Sequence, residues 1–265
     1  MISYTTYIQP QSNEWVTFVH GAGGSSAIWY KQIKEFNKHY NILLLDLRGH
    51  GNSASNLTSI NSYTFNIIAQ DIIEVLDKLN IPKTHFIGIS LGTIIIRQIA
   101  ETNVERVSSL IMAGAIMKLN FRSQILMQLG VILKSAIPYL LLYKFFAYII
   151  MPRKNHKTSR QLFVNEAKKL NQKEFIRWFK LSAEVNNLLQ QFRDKEIPVP
   201  TLYLMGNQDA MFLPSIKILV KSHHKYASLQ VINSCGHVVN IDKPNIFNKK
   251  SLAFLKLHTL QLTNS

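Results

Sequence analysis

Short apolar runs bounded by turn residues recur along the first part of the chain and again toward its end. They are "WVTFV" (Trp15 to Val19), "YNILLLD" (Tyr40 to Asp46), "HFIGI" (His85 to Ile89), "VSSLIMA" (Val107 to Ala113), "PTLYLM" (Pro200 to Met205) and "SLQVI" (Ser228 to Ile232). None shows a strict polar alternation, so each reads as a strand covered on both faces, the pattern of a parallel sheet. Between them the period changes. "TFNIIAQDIIEVLDKLN" puts Phe65, Ile68, Ile72, Val75, Leu76 and Leu79 on one helical face, and Ile81-Pro82 ends it. "LGTIIIRQIAE" is apolar nearly all round, as expected for a helix pressed against a central strand. Strands alternating with helices predict an α/β fold: a doubly wound, mostly parallel sheet flanked by helices.

The rhythm breaks between residues 116 and 197, where the pattern is helical and holds no clear strand. The expected organisation is therefore a core of residues 1–115 and 198–265 with an inserted helical cap, or lid, at 116–197. The run "QILMQLGVILKSAIPYLLLYKFFAYII" (Gln124 to Ile150) raises the question of a membrane span. Lys134, Pro138 and Lys144 cut it into pieces shorter than the roughly 18 uninterrupted apolar residues a span requires, so a cap is expected instead.

Composition sharpens this picture at three points. With 47% hydrophobic and 17% charged residues, the 265-residue chain can bury a substantial core. Its single cysteine, Cys235, excludes an intramolecular disulfide framework and fits a reducing compartment. The net charge of +15 is uneven: residues 118–195 carry 15 Lys/Arg against 4 Asp/Glu. Such a basic cap suits a solvated face or peripheral contact with an anionic membrane. Nucleic acid is disfavoured as a partner, because no aromatic-and-basic recognition motif accompanies the charge. The N-terminus has neither the basic start nor the apolar stretch of an export signal, and the expected location is cytoplasmic, with the membrane surface as a peripheral site.

The candidate chemistry begins at Gly88-Ile89-Ser90-Leu91-Gly92, a G-x-S-x-G at a strand-to-helix junction. A serine there sits on a tight turn above the carboxyl ends of the strands, facing the N–H groups and positive dipole end of the next helix. Its hydroxyl needs a base. His237, in "NSCGHVVNIDKP" after the last predicted strand, is the candidate, and Asp209, in "LYLMGNQDAMF" after the strand before, is the candidate acid. All three fall at one edge of the sheet. Ser90 would attack, His237 would shuttle the proton, and Asp209 would fix the imidazole tautomer. The oxyanion donors expected are the N–H groups of Leu91 and of Ala22 in "HGAGGSS", with Gly23 the alternative to Ala22.

In "HGAGGSSAIW", "LLLDLRGHGNS", "GISLGT", "GNQD" and "GHVVNIDKP" the chain resembles the α/β-hydrolase fold family, its esterase/lipase-like serine hydrolases with a helical cap. These stretches fall in the family's order and cover the chain outside the predicted cap. It departs from the family at Ile89, where histidine is frequent, and at Thr93, where a smaller residue is common. The resemblance implies a serine hydrolase acting on carboxylic esters, a carboxylesterase, without metal or organic cofactor. Thioesterase, lipid hydrolase and C–C hydrolase share the same triad, and regulatory members of the fold bind ligands with little turnover. A serine nucleophile speaks against the dehalogenase and epoxide hydrolase branches, which the resemblance associates with a carboxylate. The partner expected is a small, apolar ester, with Leu133, Tyr139, Phe145 and Trp178 of the cap, beside Leu126, Leu129, Leu140, Leu141 and Phe146, lining its site. The oligomeric state is left open.

The remaining polar residues have quieter readings. His20 and His50 are expected to brace loops, Asp46 to pair with backbone or Arg48, and Cys235 to pack as a small thiol. His223-His224 lacks further ligands at metal-binding spacing.

Overall fold

The computed structural model of the protein describes residues 1–54, 63–120, 124 and 137–262. Seven strands form one sheet in the order β1-β3-β2-β4-β5-β6-β7. They are β1 (Ser3–Tyr7), β2 (Trp15–Val19), β3 (Asn41–Asp46), β4 (Thr84–Ile89), β5 (Val107–Ala113), β6 (Thr201–Gly206) and β7 (Ala227–Ile232). All neighbours pair in parallel except β1, which runs antiparallel to β3 at the edge. The six predicted strands are present. The unpredicted one, β1, is a half-exposed edge whose "SYTTY" lacks the apolar run that marks the others.

Alternate side chains of each central strand feed two cores. Leu43, Leu45, Phe86, Leu110 and Met112 join the helices α2 (Phe65–Lys78) and α3 (Leu91–Thr102) on one face. Ile42, Leu44, Ile87, Ile89, Ile111 and Ala113 meet α1 (Tyr30–Phe36) and Phe247 and Leu255 of the C-terminal helix (Pro244–Leu262) on the other. This period-2 split between two covered faces is what makes the strands read as unbroken apolar runs.

Among the described residues, four α-helices lie between β5 and β6: α4 (Tyr139–Ile150), α5 (Lys157–Ala167), α6 (Gln172–Lys180) and α7 (Ser182–Asp194). Leu142, Tyr143, Ala167, Leu170 and Phe175 form a small core of their own. Trp178, Val185, Leu189 and Phe192 instead belong to the main core, so these helices are continuous with the sheet's packing. Polar ties add to this. Ser25 donates to Glu166 (2.5 Å), Tyr63 to Glu174 (2.6 Å) and the Trp178 indole to the Arg48 carbonyl (2.9 Å). Among the described residues no helix is long and apolar enough to cross a membrane. Most of the stretch from Gln124 to Ala136, including Lys134, lies outside the described residues.

The chain crosses from β2 to β3 on one side and reaches β4 on the other. Strand order therefore reverses at β2, and the crevice at the carboxyl ends of β2 and β4 is where such sheets place a ligand. The segments that follow these strands are the loop at residues 20–25 and the turn at Ser90.

Candidate active site

Ser90 terminates β4 with φ 54° and ψ −120°, a backbone conformation that L-residues rarely adopt. The surroundings hold it there. Its N–H donates to the Ala113 carbonyl of β5 (3.0 Å), and its own carbonyl accepts from the Thr93 hydroxyl (2.6 Å) and N–H (2.9 Å). At Gly92 the start of α3 passes so close to β2 that a Cβ would lie 2.4 Å from the Val19 carbonyl oxygen. The hydroxyl of Thr93, at the departure noted in the sequence, thus ties the turn to its helix, a bond glycine or alanine could not make.

The three residues expected to act together are brought together. The Ser90 hydroxyl stands 2.9 Å from His237 Nε2, and His237 Nδ1–H donates to Asp209 Oδ2 at 2.7 Å. Asp209, 1% exposed, also accepts the Phe212 N–H on Oδ1 (3.1 Å). An ionised carboxylate only accepts, so it fixes the proton on Nδ1 and leaves Nε2 as the acceptor facing Ser90. The Phe212 ring, 5.1 Å from the imidazole, covers it.

The loop after β2 supplies the second half of the site. Gly21 lies against the turn, where a Cβ would sit 3.1 Å from the Ser90 Cβ. The N–H groups of Ala22 and Leu91 have no partner among the described residues. The alternative donor is corrected. The Gly23 N–H is spent on His50 Nε2 at 3.0 Å, so it is not available to an oxyanion.

His20 and His50 are the braces of this loop. His20 Nε2 accepts the Leu47 N–H (3.0 Å) while its Nδ1–H donates to the Gly21 carbonyl (2.8 Å). His50 Nδ1–H donates to the Arg48 carbonyl (2.9 Å). Both rings are neutral, because each Nε2 must accept a backbone N–H. Burial pushes both imidazoles down, His50 to about 3 with repulsion from His20 second. In the unfolded chain an ordinary imidazole titrates near 6.5, so on acidification the unfolded state takes up protons first. The contribution is fully present above about pH 6.5 and is lost as pH falls toward 3. For His50 alone the loss at pH 5 is about 2 kcal/mol. Urea unfolding should show stability falling from pH 7 to pH 5, with a shallower fall in His50→Gln. Parallel pH slopes for the two proteins would sink this account.

Asp46 pairs with backbone as expected, accepting the N–H groups of Ser26 (2.7 Å) and Asn52 (2.8 Å), while Arg48 turns to Asp71. Cys235 is fully buried, and burial pushes its thiol up to about 12, which leaves no thiolate at neutral pH.

A cavity of about 290 Å³ opens over Ser90 and His237. Its walls include Ile94, Leu119, Phe146, Ile150, Met151, Phe163, Phe175, Trp178, Met211 and Val238. Leu140 and Leu141 are absent from the described lining, Leu141 being exposed, whereas Trp178 and Phe146 line the cavity. Phe145 does not: it is 47% exposed, one residue off the α4 face on which Tyr143, Phe146 and Ile150 recur at helical spacing toward the cavity. Tyr139 is likewise absent from the described lining and packs beside Tyr143 and Phe175, its hydroxyl bonded to the Leu170 carbonyl. Leu126, Leu129 and Leu133 lie outside the described residues. Sequence reasoning missed Tyr143, although its three- and seven-residue spacing to Phe146 and Ile150 carried the signal. Its ring packs over Gly23, its hydroxyl has no partner among the described residues, and it lines the cavity.

Residues 14–130 match the family model of the alpha/beta hydrolase fold. Human epoxide hydrolase 4 is 27% identical over 251 residues, spanning 87% of this chain and 69% of that protein. The 3-oxoadipate enol-lactonase 2 of Acinetobacter baylyi is 25% identical over 264 residues, spanning 96% of this chain and 93% of its own length. Among solved structures, a carboxylesterase of the thaumarchaeon Nitrososphaera gargenis superposes with a TM-score of 0.77 at 21% identity, covering 98% of this chain and 95% of that one. The chain has the α/β-hydrolase fold and is similar to hydrolases of that fold along most of its length.

Proposed function

We propose that the protein is a serine carboxylesterase that cleaves an uncharged ester with an apolar acyl group through an acyl-enzyme. The observation that carries this reading is the Ser90–His237–Asp209 relay opening onto an apolar cavity beside two unengaged N–H groups. His237 takes the Ser90 proton as the oxygen attacks the ester carbonyl. The Ala22 and Leu91 N–H groups receive the negative charge that develops on the carbonyl oxygen. His237 then passes the proton to the leaving alkoxide, and water activated by the same imidazole releases the acid.

Two features support narrowing the substrate. Ser90 and His237 are accompanied by hydrocarbon and aromatic walls, and no Lys, Arg, Asp or Glu is found among the described lining residues. A carboxylate-bearing substrate would lose its hydration there without a counter-charge. The Tyr143 hydroxyl is a remaining donor for an ester oxygen. The serine also weighs against the activity in the name of the human relative. Opening an epoxide on a serine oxygen leaves an ether, which has no carbonyl for water to attack.

A fluorophosphonate probe tests the core of the reading: wild type labels at Ser90, while Ser90→Ala and His237→Ala do not. A p-nitrophenyl ester series should then give a higher kcat/KM for butyrate to octanoate than for acetate. Preference for acetate would sink the apolar acyl assignment. Folded wild-type protein that fails to label would sink the hydrolase chemistry itself and favour a ligand-binding role. Acyl thioesters turned over faster than the matching oxygen esters would move the assignment to thioesterase.

A further inference from the structure

Helix α4 has two apolar faces. The inner one lines the cavity. On the outer one Leu141, Phe145, Tyr148 and Ile149 recur at intervals of three and four residues and are 53%, 47%, 63% and 37% exposed. A stripe of large apolar side chains left in water on one helix face marks an interaction surface. Lys144 is exposed on the same face, and exposed Arg153, Lys154 and Lys157 follow its C-terminal end. The Arg160 guanidinium stacks over the Tyr148 ring at 4.8 Å.

The charge selects the partner. From Arg106 to Asn165 the sequence contains no Asp or Glu, and the first acid afterwards, Glu166, is buried and bonded to Ser25 and Lys169. A second copy of the chain would bring the same cationic surface against it. An anionic bilayer offers what this face lacks: counter-charge for the cations and hydrocarbon for the rings, with the amphipathic tyrosine at the boundary.

We propose that the outer face of α4 docks the protein on an anionic lipid surface, Leu141, Phe145, Tyr148 and Ile149 entering the headgroup region between Lys144, Arg153, Lys154 and Lys157. The docking stands apart from the catalytic reading. Its consequence for substrate supply, that the wall carrying Tyr143, Phe146 and Ile150 is held at the lipid surface, rests on that reading.

Co-sedimentation with vesicles of phosphatidylcholine, with and without phosphatidylglycerol, tests the docking without reference to activity. Binding to the anionic vesicles should be about tenfold or more tighter than to the neutral ones and should weaken as salt is raised. Phe145→Ser/Tyr148→Ser should lower affinity for anionic vesicles by about tenfold or more. It should leave the melting temperature and the turnover of a dissolved short-chain ester near wild type. Arg153→Glu/Lys154→Glu should lose the preference for anionic lipid, a readout that does not depend on the aromatic pair. Absence of wild-type binding to anionic vesicles would overturn the proposal, as would undiminished binding by both variants. Self-association in sedimentation velocity that Phe145→Ser/Tyr148→Ser abolishes would assign the face to a second copy instead.

Discussion

Ser90→Ala, His237→Ala and the double variant should lose ester hydrolysis to nearly the same extent, each by about 10⁴-fold or more in kcat/KM. The expectation follows from the relay. Ser90 at 2.9 Å from Nε2 is a nucleophile only while the imidazole accepts its proton, and the imidazole has no task once the serine oxygen is gone. Residues that act as one unit do not have additive costs, so the double variant should sit within a few-fold of either single one. Alanine keeps the Cβ and inherits a backbone conformation imposed by Ala113, Thr93 and Gly92, so Ser90→Ala should fold and melt like the wild type. The measurement is kcat/KM on a p-nitrophenyl ester for the four proteins, with thermal melts alongside. A double variant at the product of the two single losses would mean independent roles for the two side chains. Single losses of less than about tenfold would remove the relay from the mechanism.

What the sequence discloses of this protein is the part held by backbone rules. Two-sided burial produces the unbroken apolar runs of β2 to β6, whereas β7, read the same way, is a half-exposed edge; the strand order then carries Ser90, Asp209 and His237 to one edge of the sheet. The glycines around Ser90 mark a close approach that only backbone geometry demands, and Gly92 against Val19 is that approach. Features settled by tertiary contacts were not legible. The edge strand β1 draws its stability from pairing with β3 and shows no apolar run. "HGAGGSS" offers Ala22 as the first donor and Gly23 as the alternative, and what removes Gly23 is His50, which is 27 residues away and takes the Gly23 N–H. In the cap, composition promised aromatic walls but not which ring faces in. Phe145 and Phe146 are neighbours in sequence, yet one is exposed and the other lines the cavity. An apolar residue on such a helix serves either as cavity wall or as outer surface, and hydropathy assigns both the same value.

Asp209→Asn should lower kcat by about 10⁴-fold at neutral pH while leaving KM and thermal stability close to wild type. The substitution conserves shape, so the effect isolates the proton. Asp209 uses one oxygen for the His237 Nδ1–H at 2.7 Å and the other for the Phe212 N–H at 3.1 Å, and both partners are donors. Asparagine has one acceptor atom and one donor group. If its oxygen stays with the Phe212 N–H, its NH₂ meets Nδ1 and drives the imidazole proton to Nε2, where it faces the Ser90 hydroxyl as a donor and is no base. If the amide turns over, Nδ1–H keeps an acceptor but the buried Phe212 N–H faces another donor, a conflict that costs about 1–3 kcal/mol. The first arrangement is therefore favoured, and it is the inactive one. Asp209→Ala is the less informative change, since it leaves Phe212 N–H and His237 both without a partner in a buried site and mixes folding with catalysis. The decisive pair of readings is the kcat of Asp209→Asn beside its melting temperature. A variant that melts normally and keeps more than about a tenth of wild-type kcat would show that His237 is oriented by something other than Asp209.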